Sequence, residues 1–208
     1  NMNKGKFISF EGIEGVGKST TILEVEKFLK ERNIEVYSTR EPGGTNFGEK
    51  IRELLLNKES AISVDSELLL LFAIRHQHIK DIIEPKLNKG IWILCDRYID
   101  ASVAYQGYGK KADLKKIKLL IENFTNNITP DLTFFFNLPY DLAKKRFPKS
   151  KTKDRFENLD DKFFEDVYLG YLNILKNDPD RVKNIDSKRN QKDVLDQIIM
   201  IILESFKI

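Results

Sequence analysis

The stretch FEGIEGVGKST at residues 10–20 constrains the fold of this chain more than any other feature. It satisfies the pattern G-x-x-x-x-G-K-[S/T] at Gly12, Gly17, Lys18 and Ser19, with an apolar run before it and helical spacing of apolar residues after it. Such a loop between a strand and a helix wraps a phosphate with backbone N–H groups, and the helix directs the positive end of its dipole at the anion. The alternative is a glycine-rich turn with a solvated lysine, which the flanking strand and helix disfavour. The chain is therefore predicted to bind a nucleoside triphosphate.

Three side chains in or near this loop are expected to act on the phosphates and their metal ion. Lys18 is placed to reach the β and γ oxygens of ATP, and Ser19 to ligate Mg²⁺. Asp96 ends the apolar run IWILCD, and an acid at such a strand end holds Mg²⁺ directly or through water. An aspartate there can instead start a turn or cap a helix, but the nearby loop favours the metal role. The predicted ATP site consists of Gly12, Ile13, Glu14, Gly15, Val16, Gly17, Lys18, Ser19 and Thr20, with Ser19 and Asp96 as metal ligands.

The pattern of apolar residues along the chain predicts an α/β fold. Short β-rich runs alternate with longer segments of helical spacing, which indicates a mostly parallel sheet covered by helices on both faces. Together with the loop, this predicts a three-layer sandwich of the P-loop NTPase type with a five-stranded parallel sheet. The strands are predicted at residues 6–10, 35–39, 91–95, 132–137 and 182–185, and helices around residues 22–29, 68–83, 159–175 and 194–202.

Composition indicates one cytoplasmic domain. A chain of 208 residues with 41% hydrophobic residues, 14 of them Phe, can bury a sizeable core, so we expect a single domain over residues 1–208. A formal net charge of +3 does not by itself indicate a nucleic acid or a membrane as a partner. The single Cys95 excludes an internal disulfide, and no apolar run approaches the roughly 18 residues of a membrane span.

Arginines mark a second anion site. Arg40 in TREPGGT and Arg97 each follow a predicted strand, and the carboxyl ends of parallel strands meet at one edge of the sheet. A guanidinium grips phosphate with two parallel hydrogen bonds and stays charged. Each arginine alone would more often form a surface ion pair, but their shared position at strand ends favours a phosphate site. We therefore expect a phosphorylated acceptor beside the ATP.

Six motifs occur in the order of a known family and cover nearly the whole chain. They are FEGIEGVGKST, TREPGGT, LLLFAIRHQH, GIWILCDRYIDASVAYQG, PDLTFFFNLP and DRFE. In this respect the chain resembles thymidylate kinases, which transfer the γ-phosphoryl group of ATP to dTMP, giving dTDP and ADP, in dTTP biosynthesis. The resemblance implies a nucleoside monophosphate kinase with dTMP as its small-molecule substrate.

The resemblance also implies a set of roles in binding dTMP. By composition alone, Phe72 within LLLLFAI is a core residue, and only the family match makes it a ligand. Tyr105 and Gln106 precede two glycines in a predicted loop, where functional side chains are common. By resemblance, Phe72 would stack on thymine, Arg75 would bond its O4 edge, Ser102 and Gln106 would lie along the base, Tyr105 would favour a 2′-deoxyribose, and Arg40 and Arg97 would hold the phosphate.

The basic stretch KKRFPKSKTKDRFE at residues 144–157 corresponds to the lid of the family. The loop at residues 10–20 has no basic residue at its variable positions, so the chain resembles the bacterial type in which the lid carries the catalytic arginine. The candidates are Arg155 with Arg146 in support, acting with Lys18 and Arg97. The family also implies a homodimer, and the apolar segment at residues 68–83 could form its interface or pack within the monomer.

Other functions are compatible with a P-loop. A deoxynucleoside kinase needs a base near the end of the first strand, and Glu11 or Glu14 could serve, whereas TREPGGT and the arginines favour a monophosphate acceptor. Glu14 could instead contact the acceptor sugar or the Mg²⁺ shell, or cap the loop. Another nucleoside monophosphate kinase remains an alternative. A P-loop switch ATPase is a further one, although the sequence has no NKxD-like guanine-recognition motif.

Overall fold

A single parallel sheet organises the part of the chain that the computed structural model describes, residues 4–146, 155 and 159–208. Its strands are β1 (Phe7–Glu11), β2 (Val36–Arg40), β3 (Trp92–Asp96), β4 (Leu132–Asn137) and β5 (Val182–Asp186). They lie in the order β2-β3-β1-β4-β5, with every pairing parallel. The predicted five-stranded sheet is confirmed, and each strand lies within one residue of its predicted bounds.

Helices connect the strands and cover both faces of the sheet. The four predicted helical segments are present, and the segment at residues 68–83 continues beyond an α-helix as the π-helical segment Ile79–Ile83. Helices at residues 46–56 and 114–124 were not predicted. The helices are α1 (Lys18–Lys30), α2 (Asn46–Leu56), α3 (Val64–His78), α4 (Glu84–Asn88), α5 (Ile99–Ala101), α6 (Leu114–Phe124), α7 (Tyr140–Ala143), α8 (Asp161–Asn177) and α9 (Gln191–Phe206).

Alternate residues of the central strands belong to two separate apolar clusters, one on each face of the sheet. The sheet and the helices on its two faces form the three layers of the fold. Side chains of a strand point to opposite faces in turn, so both faces of a sheet covered on two sides are apolar. On one face, Phe7, Ile93 and Cys95 pack with Ile79 and Ile83. On the other, Ile8, Phe10 and Leu94 pack with Val25 and Leu29 of α1 and Ile198 and Ile202 of α9.

The segment Ser102–Gly109, which includes the loop predicted at Tyr105 and Gln106, is π-helical and packs against α8. The prediction was wrong because glycine was taken as a sign of a turn. At Gly109 a Cβ atom would lie 2.4 Å from Cε2 of Phe163, so glycine is needed here for close packing on α8. A π-helical turn widens the helix and often occurs at functional sites. We call this segment the π segment.

Most of the predicted lid lies outside the described residues. Lys144–Arg146 form a 3-10 turn after α7, and Arg155 is described, but the residues between them are not. The single domain over residues 1–208 therefore stays a prediction. In the described ranges, no helix has the length and apolar character needed to cross a membrane.

Candidate active site

A cavity of about 610 Å³ opens at the carboxyl ends of β1, β2 and β3. In the sheet register, Asp96 pairs with Phe10 on one side and with Arg40 on the other, so three strand ends meet here. The cavity brings together most of the predicted site residues. The site residues predicted from the sequence that line the cavity are Glu14, Gly15, Val16, Gly17, Lys18, Ser19, Thr20, Arg40, Arg75, Asp96, Arg97, Ser102, Tyr105 and Gln106.

The loop at residues 10–20 forms one wall of the cavity and leads into α1. Gly12, Gly15 and Gly17 have positive φ angles of 138°, 75° and 95°, and Gly17 caps α1 without a side-chain hydrogen bond. No side chain therefore occupies the first N–H groups of α1, which suits them to an anion. Lys18 Nζ donates to the carbonyl oxygens of Gly12 at 3.2 Å and Ile13 at 3.1 Å, so these two residues hold the lysine from behind the cavity.

Lys18 and Asp96 face each other across this loop. Lys18 Nζ lies 4.0 Å from Asp96 Oδ1. Burial lowers the pKa of Lys18, as does Arg97, while Asp96 and Glu14 act against this shift. Asp96 Oδ1 is buried and has no hydrogen-bond partner among the described residues, and an unsatisfied buried oxygen is suited to a metal ion or its water.

The residues at this point fit Mg²⁺. Asp96 and Ser19 line the same cavity and offer hard oxygen ligands, and Mg²⁺ at nucleotide sites is held by few protein oxygens together with phosphates and waters. In the described part of the chain, no group of three or more His, Cys, Asp or Glu side chains could form a dedicated metal centre. The donor set therefore suits a metal shared with phosphates.

Arg97 links the loop to the far side of the cavity. Its guanidinium donates to the Gly12 carbonyl at 3.2 Å and to Glu14 Oε1 at 2.6 Å, and it lies 4.7 Å from the centre of the Tyr105 ring. Arg97 is the main reason that the pKa of Glu14 falls to about 2. Burial alone would lower the pKa of Arg97, but Tyr105 and Glu14 raise it. The pair keeps a charged guanidinium beside the phosphate loop.

The backbone of Arg97 adopts a left-handed conformation, with φ of 70°. A non-glycine residue in this region carries a strain of about 1–3 kcal/mol and is held there by its surroundings. The Arg97 N–H donates to the carbonyl of Phe10 at 3.0 Å, which ties the turn to β1. The strained turn directs the side chain towards the loop instead of away from it.

Arg75 lies at the floor of the cavity and is almost fully buried. It donates to Glu41 Oε2 at 2.7 Å, to Ser102 Oγ at 3.1 Å and to the Tyr98 carbonyl at 3.0 Å. Burial acts to raise the pKa of Glu41, but Arg75 and His78 outweigh it and keep that pKa low. The guanidinium is thereby held in one orientation in the lining of the cavity.

Phe72 is not among the described residues that line the cavity. Its ring is buried with Leu68 and Ile117, and the Arg75 guanidinium lies 4.6 Å from its centre. The expectation from composition, a core residue, agrees with this burial. The role implied by the family, stacking on thymine, stays a prediction.

Tyr105 and Gln106 extend from the π segment into the cavity. The Tyr105 hydroxyl is buried and has no hydrogen-bond partner among the described residues. Burial raises the pKa of Tyr105, so the phenol is neutral and can donate to a ligand. Gln106 is buried and donates through Nε2 to Glu67 Oε1 at 2.9 Å.

Comparisons with known proteins show which family the chain belongs to. A family model described as Thymidylate kinase matches residues 10–198. The chain belongs to the thymidylate kinase family. It is 44% identical over 201 residues to the thymidylate kinase of Psychrobacter sp. (strain PRwf-1), covering 95% of this chain and 96% of that protein. It is 43% identical over 202 residues to the thymidylate kinase of Vesicomyosocius okutanii subsp. Calyptogena okutanii (strain HA), covering 97% of this chain and 98% of that protein.

A solved member of the family has the same fold. The crystal structure of thymidylate kinase from Ehrlichia chaffeensis at 2.15 Å resolution matches with a TM-score of 0.78 and 33% identity, covering 96% of this chain and 99% of that chain. The predicted P-loop α/β fold and family are therefore confirmed.

The two arginines proposed for the family's lid lie apart from the cavity lining. Arg146 donates to the Ser187 carbonyl at 2.9 Å, near the end of β5. Arg155 donates through Nε to the Leu55 carbonyl at 2.9 Å and forms an ion pair with Glu67 on α3. The lysines between them, Lys149, Lys151 and Lys153, lie outside the described residues. The catalytic role of either arginine stays a prediction.

Two charged residues that line the cavity were not predicted from the sequence. Arg52 of α2 lines the cavity and donates to the Pro42 carbonyl at 2.8 Å, but α2 itself was not predicted. Glu41 also lines the cavity and holds Arg75, and its position directly after Arg40 in TREPGGT was the available signal.

Proposed function

We propose that this member of the thymidylate kinase family transfers the γ-phosphoryl group of ATP to dTMP with Mg²⁺, using the residues of the cavity at the carboxyl edge of the sheet. The activity, giving dTDP and ADP, is that of the family. The observation that carries the assignment of residues is that one cavity is lined both by the phosphate loop and by Arg40, Arg75, Arg97 and Tyr105. Donor and acceptor phosphates can thus approach each other without crossing bulk solvent.

The reaction needs charge neutralisation more than proton transfer. The attacking oxygen belongs to the phosphate of dTMP, which is already anionic at neutral pH, so no general base is required. Lys18 would move from the carbonyls of Gly12 and Ile13 to the β and γ oxygens. Positioning of two polyanions and neutralisation of their charge then supply the rate enhancement.

The proposed acceptor arginines hold exchangeable carboxylates. Arg97 pairs with Glu14, whose side chain is 48% exposed, and Arg40 pairs with Glu49 at 2.7 Å, with both side chains substantially exposed. Exposed ion pairs contribute little free energy, so a phosphate dianion can replace the Glu49 carboxylate on Arg40 at small cost. The Arg97 side chain is only 16% exposed, so its pair with Glu14 is stronger and costs more to replace. Arg97 lies beside the loop and would follow the group as it transfers.

Ser19 and Asp96 would hold Mg²⁺ at the phosphate end of the cavity. When bound, the metal supplies neutralisation of the charge on the β and γ oxygens. Asp96 would provide its unsatisfied Oδ1 directly or through a water, and Ser19 its hydroxyl at the start of α1.

The far end of the cavity would bind the thymidine moiety. Arg75, fixed by Glu41, would donate to O4 of thymine, with Ser102 and Gln106 beside the base. The unpartnered Tyr105 hydroxyl would lie against the sugar and leave no room for a 2′-hydroxyl. Phe72 would stack on the base, a role that its place next to Arg75 supports. Its ring is buried and outside the cavity lining, so it would first have to become accessible to the base.

We further propose a homodimer that acts in the cytoplasm. Exposed apolar side chains on α3 and α6, among them Leu69, Leu119 and Phe124, support a dimer face. The free and buried Cys95 suits a reducing compartment.

A coupled ADP-release assay with ATP and Mg²⁺ tests the function. The assay adds one acceptor at a time: dTMP, dUMP, ribothymidine monophosphate (the ribose form of dTMP), dCMP, AMP or thymidine. We expect a large response to dTMP, a weak one to the ribose form and none to thymidine. A response to thymidine but not to dTMP would instead identify a nucleoside kinase, and hydrolysis without an acceptor would identify a switch ATPase.

A further inference from the structure

Glu67 is a buried carboxylate that lies beside the cavity and does not line it. Its side chain, on α3, is 0% exposed. Oε1 accepts from Gln106 Nε2 at 2.9 Å, and Oε2 accepts from Lys110 Nζ at 2.7 Å and from the guanidinium of Arg155. A buried carboxylate is costly unless it is paired, and here two cations compensate it.

The chemistry of this cluster determines which end of the Gln106 amide faces the cavity. A carboxylate can only accept hydrogen bonds, whereas an amide has a donating NH₂ group and an accepting oxygen. Glu67 therefore binds the NH₂ group and excludes the flipped amide, which would place two acceptors against each other. The carbonyl oxygen Oε1 of Gln106 is then left to bind a ligand. It has no hydrogen-bond partner among the described residues, and Gln106 lines the cavity.

An acceptor at this place distinguishes pyrimidine bases. Thymine presents an N3–H donor between two carbonyl oxygens, whereas cytosine has an unprotonated N3 acceptor at the same position. Gln106 Oε1 can accept from N3–H of thymine, but it would face the lone pair of cytosine N3 without a proton between them. A site that leaves buried polar groups unpaired rejects the wrong ligand strongly.

We propose that Glu67 is a positioning residue for pyrimidine specificity: by binding the amide nitrogen of Gln106, it presents the Gln106 carbonyl oxygen to N3–H of thymine and against N3 of cytosine. This inference rests on the proposed function, because it requires the base to lie beside Gln106. Glu67 itself does not contact the substrate.

The E67Q substitution tests the proposal with almost no change in shape. The new amide can accept as well as donate, so Gln106 is no longer restricted to one orientation. We expect KM for dTMP to rise with kcat nearly unchanged. The ratio of kcat/KM for dTMP to that for dCMP should fall by about tenfold or more, since orientation of a buried hydrogen bond contributes this much discrimination.

A double variant separates positioning from a purely structural role. In E67Q/Q106E the donor and the acceptor exchange places: the amide at position 67 donates to a carboxylate at position 106, which again offers only an acceptor to the base. We expect the dTMP/dCMP ratio to return to within a few-fold of the wild-type value. Loss of packing or of charge at Glu67 would not be rescued in this way.

K110M is the matched control because it removes one cation from Glu67 and leaves the contact with Gln106 intact. We expect it to keep the wild-type dTMP/dCMP ratio even if its thermal stability falls. An equal loss of the ratio in K110M and E67Q would overturn the proposal, as would an E67Q ratio within twofold of wild type. Should E67Q fail to fold, the double variant decides: retained preference for dTMP supports the inference and lost preference overturns it.

The failure of this inference is distinguishable from failure of the proposed function. A wild-type chain that does not phosphorylate dTMP refutes the proposed function. A wild-type chain that does so, with unchanged specificity in E67Q, refutes only the role of Glu67.

Discussion

Arg97 is the residue proposed to contact both phosphates, and its surroundings hold its side chain in place. It is tied to the loop through Gly12 and Glu14, and its guanidinium also contacts the ring of Tyr105 in the π segment. Its backbone is strained, with φ of 70°, and this conformation directs the guanidinium over the phosphate loop. The free energy stored at this residue serves orientation instead of stability.

Arg97→Ala should lower kcat by about 100- to 1000-fold, the range for loss of one preorganised charge donor. Affinity for ATP, measured by calorimetry, should change by only a few-fold, because Lys18 and the loop N–H groups remain. Arg97→Gly is the matched variant, since glycine adopts this φ without strain and also lacks the guanidinium. Both variants should lose turnover equally, and a parallel loss of ATP binding would instead assign Arg97 a structural role.

At the scale of elements, the π segment depends on glycines for its contact with α8. Gly109 lies against Phe163 and Val167, and a Cβ at Gly170 of α8 would come 3.0 Å from the Cα atom of Ala104. The close approach of the two helices places Tyr105 and Gln106 in the cavity. The proposed substrate contacts of these two side chains thus depend on the packing between the π segment and α8.

Gly109→Ala should destabilise the fold by about 1–3 kcal/mol, because the added Cβ would lie 2.4 Å from Phe163 Cε2 and 2.9 Å from Val167 Cγ2. It should also raise KM for dTMP, since displacement of the π segment moves Tyr105. Chemical denaturation and steady-state kinetics measure these two effects. Leu169→Ala, at a side chain of α8 that is 52% exposed, is the control and should change neither quantity much. Unchanged stability in the Gly109 variant would contradict the packing argument.

At the scale of the whole molecule, a buried polar network lies beneath the site. Glu11 at the end of β1 accepts from the Tyr98 N–H at 2.7 Å and from the Tyr171 hydroxyl at 2.8 Å. Burial, with Asp100 nearby, raises the pKa of Glu11 from 4.5 to about 8. Asp100 is itself paired with Arg181, next to β5, at 2.7 Å and 3.0 Å. The network joins the central strand to α5, α8 and the edge of the sheet.

The raised pKa of Glu11 predicts a pH dependence of stability. In the folded state Glu11 keeps its proton up to about pH 8, whereas in the unfolded state it releases the proton near pH 4.5. The contribution of protonated Glu11 to the free energy of unfolding is therefore complete below pH 4.5 and is lost as pH rises towards about 8. Within this window the group costs up to about 1.4 kcal/mol of unfolding free energy per pH unit. Urea denaturation at several pH values should show a steeper decline for wild type than for Glu11→Gln. The exposed Glu24→Gln should behave as wild type, and equal slopes for wild type and Glu11→Gln would contradict the raised pKa.

Local stereochemistry determined what could be predicted from the sequence alone. The phosphate loop, the five strands and the positions of Arg40 and Arg97 at strand ends follow from residues close together in the chain, where φ/ψ preferences and apolar periodicity apply. The sequence was therefore sufficient for the fold and, through its ordered motifs, for the family, while the ATP site and the second anion site stay predictions.

Tertiary structure alone decided which distant side chains meet. Glu41 holds Arg75 across 34 residues, Glu67 holds Gln106 across 39, and Tyr171 reaches Glu11 across 160. Such pairs depend on how helices pack on the sheet, and no local preference encodes them. The same packing makes the π segment, with its predicted loop at Tyr105 and Gln106, helical. It also buries Phe72 next to Arg75 and places Arg155 on Glu67. The sequence alone determined the chemistry available at the sheet edge, and only tertiary packing determined the orientation of each side chain, because orientation depends on neighbours remote in the chain.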